Sequence, residues 1–133
     1  AKVDTGARTS ALHAEDVKIV RRGSKRFARF TVCPTQRSSK GKVQVRAPLV
    51  GERQVRSSNG EVETRPVVRT TIQCGADSWE IEITLTKRDV MGFRMLLGRQ
   101  AIRGHAVVDP GRSYVAGKAP AKRRKSPTKA KKR

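Results

Sequence analysis

The chain has 133 residues, with 31 lysines and arginines against 11 aspartates and glutamates, a formal net charge of +20. That length leaves room for one domain. No apolar leader heads it and no run approaches the ~18 residues of a membrane span. Cys33 and Cys74 stand 41 positions apart without a CxxC pair, which points to free thiols in a reduced, cytoplasmic setting.

The first stretch, "VDTGARTSA", places Asp4, Thr5 and Gly6 behind an apolar lead-in. Two readings compete there. One is a turn after a strand, with local hydrogen bonds from Asp4 and Thr5 and the bend at Gly6. The other is a catalytic carboxylate held at a strand end. "RFARFTV" alternates weakly, with Phe27, Arg29 and Thr31 on one face and Ala28, Phe30 and Val32 on the other. "SSKGK" predicts a loop before "VQVRAPLV". Asn59-Gly60 is a strong hairpin signal, because both residues accept positive φ.

"VVRTTIQC" is β-branched, and "GADS" predicts a turn into "SWEIEITL", where Trp79, Ile81, Ile83 and Leu85 share one face. "GRQAIRG" allows little more than one helical turn. "HAVVDPGRSYVAG" predicts strand, turn, strand, with Asp109 as the turn residue; Asp89 is expected in a loop or at a helix start. The body is therefore expected to be all-β, closed or sandwiched, with one short helix.

Residues 118–133 carry nine cations and no acid. Like charges repel there and no core is available, so a disordered tail is expected, attractive to RNA, the ribosome or any polyanion. Residues 1–117 keep a charge of +11, from 22 basic and 11 acidic residues. Three Phe, one Tyr and one Trp argue against a dedicated base-stacking platform.

The zinc-ligand types His13, Cys33, Cys74 and His105 lack any paired spacing. No metal site and no cofactor is expected, and "HAED" (His13 to Asp16) reads as a solvated polar edge. Nucleophile elbows and phosphate-binding glycine loops are absent. Asp-Thr-Gly alone is a weak signal. It gains weight from "MLLGRQAI", two apolar residues, a glycine and an arginine opening the short helix.

Together "KVDTGARTSALHAED", "VRSSNGEVETRPVVRTTI", "MGFRMLLGRQAIRG" and "VVDPGRSYVAG" resemble the RimB-type retropepsin-like aspartic peptidases, historically labelled ATP-dependent zinc proteases. The resemblance covers roughly residues 1–117. It implies a closed retropepsin-like β-barrel, here short of its first strand, followed by the basic tail. It also implies a homodimer in which Asp4 from each subunit forms the catalytic pair, braced by Thr5 and given room by Gly6.

By the same resemblance Arg56, Ser57, Ser58, Asn59 and Gly60 form a flap over a peptide substrate, and Leu97, Gly98 and Arg99 support the site. Where viral retropepsins carry an aspartate after Asp-Thr-Gly-Ala, this chain has Arg8. That change leaves Arg99 to seek Glu15 or Asp16, and it puts a cation beside the pair. Arg46, Arg53, Arg56, Arg65 and Arg69 suggest acidic or glutamylated peptides as substrates. An ATP-grasp glutamate ligase is the implied partner; nothing in the sequence binds nucleotide or supplies a zinc ligand set. The alternative is a catalytically silent module of the same fold, bound to RNA or the ribosome by its tail.

Overall fold

A computed structural model describes residues 1–33, 41–56, 59–87, 93–115 and 117. Eight strands and one helix follow in order: β1 Lys2–Asp4, β2 Ser10–His13, β3 Glu15–Arg22, β4 Lys25–Val32, β5 Val43–Arg56, β6 Val62–Cys74, β7 Asp77–Thr86, β8 Met95–Gly98 and α1 Arg99–Ile102. All eight strands form one sheet in the order β1-β8-β2-β7-β6-β5-β4-β3. The all-β expectation holds. The tail 118–133, Ser57, Ser58 and Asp89 lie outside the described residues.

The expected closed barrel is not seen. Among the described residues the ladder is open, with β1 and β3 as its edges. The reason lies in β5. Residues Val43 to Pro48 pair with β4, and the register with β6 starts at Leu49 and breaks between Leu49 and Gly51. A break of this kind bends a strand and raises its twist. β5 therefore passes the sheet from one leaf to another, and the leaves close by packing rather than by a last ladder.

The core between them is Ala28 and Phe30 of β4, Ala47 of β5, Val68 of β6, and Ile81, Ile83 and Leu85 of β7, with Ala14 and Ala101. The alternation in "SWEIEITL" sets its centre: Ile83 and Leu85 are 1% and 2% exposed, while Glu80 and Glu82 face solvent. In "RFARFTV" the face that goes inward is the Ala28, Phe30, Val32 face.

Both expected hairpins form. Arg56 pairs with Val62 around Asn59-Gly60, where Gly60 has φ 89° and Asn59 Oδ1 accepts the Glu61 N–H at 3.1 Å. Cys74 pairs with Asp77 around Gly75. β3 is not among the strands the sequence predicts, because "EDVKIVRR" offers only Val17, Ile19 and Val20 as apolar positions.

The strand–turn–strand expected at 105–117 is corrected. The turn exists, with Asp109 Oδ1 accepting the Gly111 N–H at 3.0 Å, but the described residues on either side form no strand. A strand needs a ladder partner, and here Val107, Tyr114 and Val115 are 97%, 58% and 61% exposed.

Helix α1 follows β8 directly, as expected. It is pinned by Trp79, whose Nε1–H donates to the Ala101 carbonyl at 2.8 Å and whose ring stacks on His105 at 4.6 Å between centroids.

Candidate active site

Asp4 ends β1, a three-residue strand running parallel to β8 so that Asp4 lies opposite Gly98. β8 in turn runs antiparallel to β2, pairing Leu96 with Ala11. The chain leaves β1, loops through Thr5 to Thr9, and returns as β2 on the other side of β8. This arrangement needs a very close approach of loop and strand. A Cβ at Gly98 would fall 2.5 Å from the carbonyl carbon and oxygen of Thr9, so only glycine fits.

Hydrogen bonds fix the loop. The Ala7 N–H donates to the Asp4 carbonyl (3.2 Å), and the first two amides of α1, from Arg99 and Gln100, donate to the carbonyls of Ala7 (2.9 Å) and Arg8 (3.2 Å). The Gly98 N–H donates to Ser10 Oγ at 2.9 Å, and Thr84 Oγ1 donates to the Ser10 carbonyl at 2.9 Å. Ser10 is thus a buried junction between β8 and β7 that sequence reasoning missed, since a serine in a strand carries no distinctive signal.

The Asp4 carboxylate accepts the Gly6 N–H at 3.2 Å, which orients it in the loop. Asp4 is half-buried, while Thr5 and Gly6 are exposed. The expected acidic partner of Arg99 is corrected: Arg99 Nη1 donates to the carbonyls of Thr5 (3.4 Å) and Gly6 (3.3 Å). It ties α1 to the loop through backbone. Glu15 is engaged elsewhere.

That other place is a second cluster. His13 is not on a solvated edge as expected; it is 1% exposed, with Nε2 lying 3.0 Å from Glu15 Oε2. Cys33 Sγ reaches the same oxygen at 3.7 Å, and Lys42 Nζ donates to Oε1 at 3.1 Å. These bonds, His13 first and then Lys42, hold the Glu15 carboxyl down at about 2. The Glu15↔Thr31 pairing of β3 with β4 carries Cys33 to His13 from twenty residues away, which no spacing rule reveals.

One ligand atom each from His13, Glu15 and Cys33 lies within 4.8 Å of the others, a nitrogen, oxygen and sulfur set of the type zinc takes. The residues do not fit a cation as they stand. Lys42 already neutralises the carboxylate, and both Glu15 oxygens are engaged by protein donors.

In the flap region the structure places Arg56 at the end of β5 and Asn59 and Gly60 at the hairpin tip, all exposed. The arginines expected to form an acid-seeking set are split. Arg53 bonds Glu82 (3.1 Å), Arg65 bonds Glu63 (3.1 Å), and Arg69 reaches Glu80 and Glu82 (3.5 and 3.8 Å). Arg46 lies instead over the Phe27 ring, 5.2 Å from its centroid.

The described residues include two notable cavities. One, of about 220 Å³, is lined by Trp79, His105, Arg53 and Glu82; the other, of about 570 Å³, by Glu15, Glu63, Thr86 and Lys87. Asp4 lines neither. No helix among the described residues is long and apolar enough to cross a membrane.

The chain is similar to known proteins in structure and in sequence. A crystal structure of a Legionella pneumophila protein of unknown function superposes with a TM-score of 0.72 at 31% identity, covering 86% of this chain and 82% of that one. Proteins named probable alpha-L-glutamate ligase match in sequence: that of Shewanella halifaxensis is 43% identical and that of Parasynechococcus marenigrum 44%, each over 117 residues or 88% of this chain. The chain spans about a quarter of the length of these curated relatives. Residues 1–119 match the family described as retropepsin-like aspartic endopeptidase RimB, and the chain belongs to this RimB-like family.

Proposed function

We propose that the chain is an aspartic endopeptidase that works as a homodimer, with one Asp4 from each subunit, on acidic or glutamylated peptides. The observation that carries this reading is the setting of Asp4. Its carboxylate is oriented by the Gly6 amide at the end of β1, an edge strand among the described residues, in a loop held by α1 and β8, and it is half-buried rather than enclosed. A carboxylate so fixed yet left open on one side suits a site completed by a second copy across a two-fold axis.

The chemistry needs the pair. One ionised carboxylate takes a proton from water as its oxygen attacks the scissile carbonyl carbon. The other, protonated, donates to the carbonyl oxygen. The tetrahedral diol then collapses as a proton passes to the amide nitrogen and the C–N bond breaks. Two carboxylates about 3 Å apart share one proton and titrate as a unit. Thr5 braces the pair, and Gly6 leaves space for the partner loop and substrate. The hairpin carrying Arg56, Asn59 and Gly60 closes over the peptide and excludes water.

The substrate class draws on the relatives. A chain that matches a quarter of proteins named for glutamate ligation acts beside glutamate addition, with an ATP-grasp ligase as partner. Cys33 and Cys74 are both free, in keeping with a reducing, cytoplasmic compartment.

The test is hydrolysis of an acidic peptide library by wild type and Asp4→Asn, from pH 4 to 8, over protein concentrations spanning dimerisation. Cleavage that requires Asp4 and rises with the square of concentration at low dose supports the dimeric peptidase. A folded dimer that cleaves nothing at any pH is a catalytically silent member of the fold.

A further inference from the structure

Charge is divided unevenly over the single sheet. On the β5–β6–β7 leaf three arginines are matched: Arg53 with Glu82, Arg65 with Glu63, Arg69 with Glu80 and Glu82. The β3–β4–β5 leaf is different. Its acids, Glu15 and Asp16, stand together at the start of β3, where Glu15 pairs with Lys42; residues 17–51 contain ten lysines and arginines and no acid.

The registers turn that composition into an array. Lys18 pairs with Arg29, and Arg29 with Arg46, so three cations form one row across three strands. Arg22 pairs with Lys25, a second row on the same face. Between the rows lies an apolar strip, Val20 opposite Phe27 opposite Pro48. All five cations are exposed, and among the described residues none has a carboxylate within salt-bridge distance.

Like charges directly opposite one another destabilise a sheet. Protection of an edge accounts for charges on β3. It does not account for Arg29 and Arg46, which lie on interior strands.

We propose that this face is a docking surface for the sugar–phosphate backbone of an RNA duplex. The first row spans about 10 Å, two inter-strand spacings, and the rows stand about 13 Å apart, four residues along a strand. An extended acidic peptide follows one line and can satisfy one row, whereas a duplex presents phosphates along two strands. The surface is a sheet face, with no helix or ribbon to enter the deep major groove of B-form DNA. It matches the wide, shallow minor groove of A-form RNA, which is recognised by shape and backbone. The single partly covered ring, Phe27 under Arg46, offers no stacking platform, so binding is by charge and shape rather than by base. This inference is independent of the peptidase reading.

The test compares the full chain, tail included, with Lys18→Gln/Arg29→Gln/Arg46→Gln. A fluorescent RNA hairpin duplex, a DNA duplex of the same sequence and oligoglutamate are titrated across salt concentrations. Loss of three phosphate contacts should lower the slope of log K against log salt by about 2 to 3 and weaken RNA binding at least tenfold. Arg53→Gln/Arg69→Gln, on the matched leaf, should leave it unchanged. If the triple variant fails to fold, Arg22→Gln/Lys25→Gln at the hairpin end removes the second row and should lower the slope by about 1 to 2. Unchanged RNA affinity and slope in the row variants would overturn the proposal and assign polyanion binding to the tail. Equal or tighter binding of the DNA duplex or of oligoglutamate to the wild-type face would overturn it as well.

Discussion

Gly98→Ala is the most informative single change to the site, because its cost can be worked from distances. The new Cβ would lie 2.5 Å from two backbone atoms of Thr9 and 3.0 Å from the Ser10 nitrogen. The first contacts are roughly 0.9 Å short of the 3.4 Å at which ordinary contact begins. Neither partner can give cheaply, since Ser10 is 2% exposed and hydrogen-bonded on both sides. Overpacking of this sort costs about 1–3 kcal/mol. Separating β8 from the loop also breaks the buried bond from the Gly98 amide to Ser10 Oγ, about 1 kcal/mol more. The expected loss is about 2–4 kcal/mol, a fall of roughly 7–15 °C in Tm. Asp4 lies opposite Gly98 in the ladder, so peptide hydrolysis should fall with stability. Urea or thermal denaturation reads the first effect, with Gly111→Ala as control, where the nearest contact is an ordinary 3.5 Å. A Gly98→Ala midpoint within about 0.5 kcal/mol of wild type would show that the close approach is not a constraint.

Ile83→Ala, at the centre of the core, should cost about 2–5 kcal/mol, while Ile19→Ala, 49% exposed on the edge strand, should cost far less; denaturant midpoints compare them. Trp79→Phe leaves the Ala101 carbonyl without its indole donor and should cost about 1–3 kcal/mol, read the same way. Glu15, held at about 2 against an ordinary 4.5, stabilises the fold fully above that ordinary value. Its contribution is lost as pH falls towards 2. Tm followed from pH 6 to 2 should therefore drop more steeply in wild type than in Glu15→Gln.

Periodicity was enough for the elements whose two faces differ. "SWEIEITL" separates Ile81, Ile83 and Leu85 from two glutamates, and β7 lies as that pattern demands. Asn59-Gly60 and Gly75 mark turns because positive φ restricts the residue types there. β3 escaped because Val20 faces outward beside Phe27, so its apolar residues do not alternate cleanly. The segment 105–115 misled for the opposite reason. Its Val107, Val108 and Val115 have strand composition, but strand formation depends on a neighbouring edge, which composition does not encode.

In the site, the local part was legible and the tertiary part was not. Asp-Thr-Gly and Leu-Leu-Gly-Arg were the two motifs singled out, with the second expected to support the first, and β1 runs beside β8. Which carbonyls Arg99 would choose, and that His13, Cys33 and Lys42 would converge on Glu15, depends on registers between strands far apart in sequence.

Gly6 separates what the single chain requires from what the proposed dimer requires. A Cβ there would meet only Asp4 Oδ1, at an ordinary 3.4 Å. Within one subunit the substitution Gly6→Ala is therefore tolerated, and the lower entropy of the unfolded chain compensates for small strain, leaving stability within about 0.5 kcal/mol. Across the two-fold axis the same methyl group would project into space that the partner loop and the substrate backbone must share. Gly6→Ala should thus keep its denaturation midpoint yet weaken dimerisation, measured by sedimentation, and reduce hydrolysis at least tenfold. A variant that loses stability would place the constraint inside the chain. One that keeps stability, dimer and activity together would remove the crowded axis from the proposed mechanism, and with it the reason a glycine follows Asp4 and Thr5.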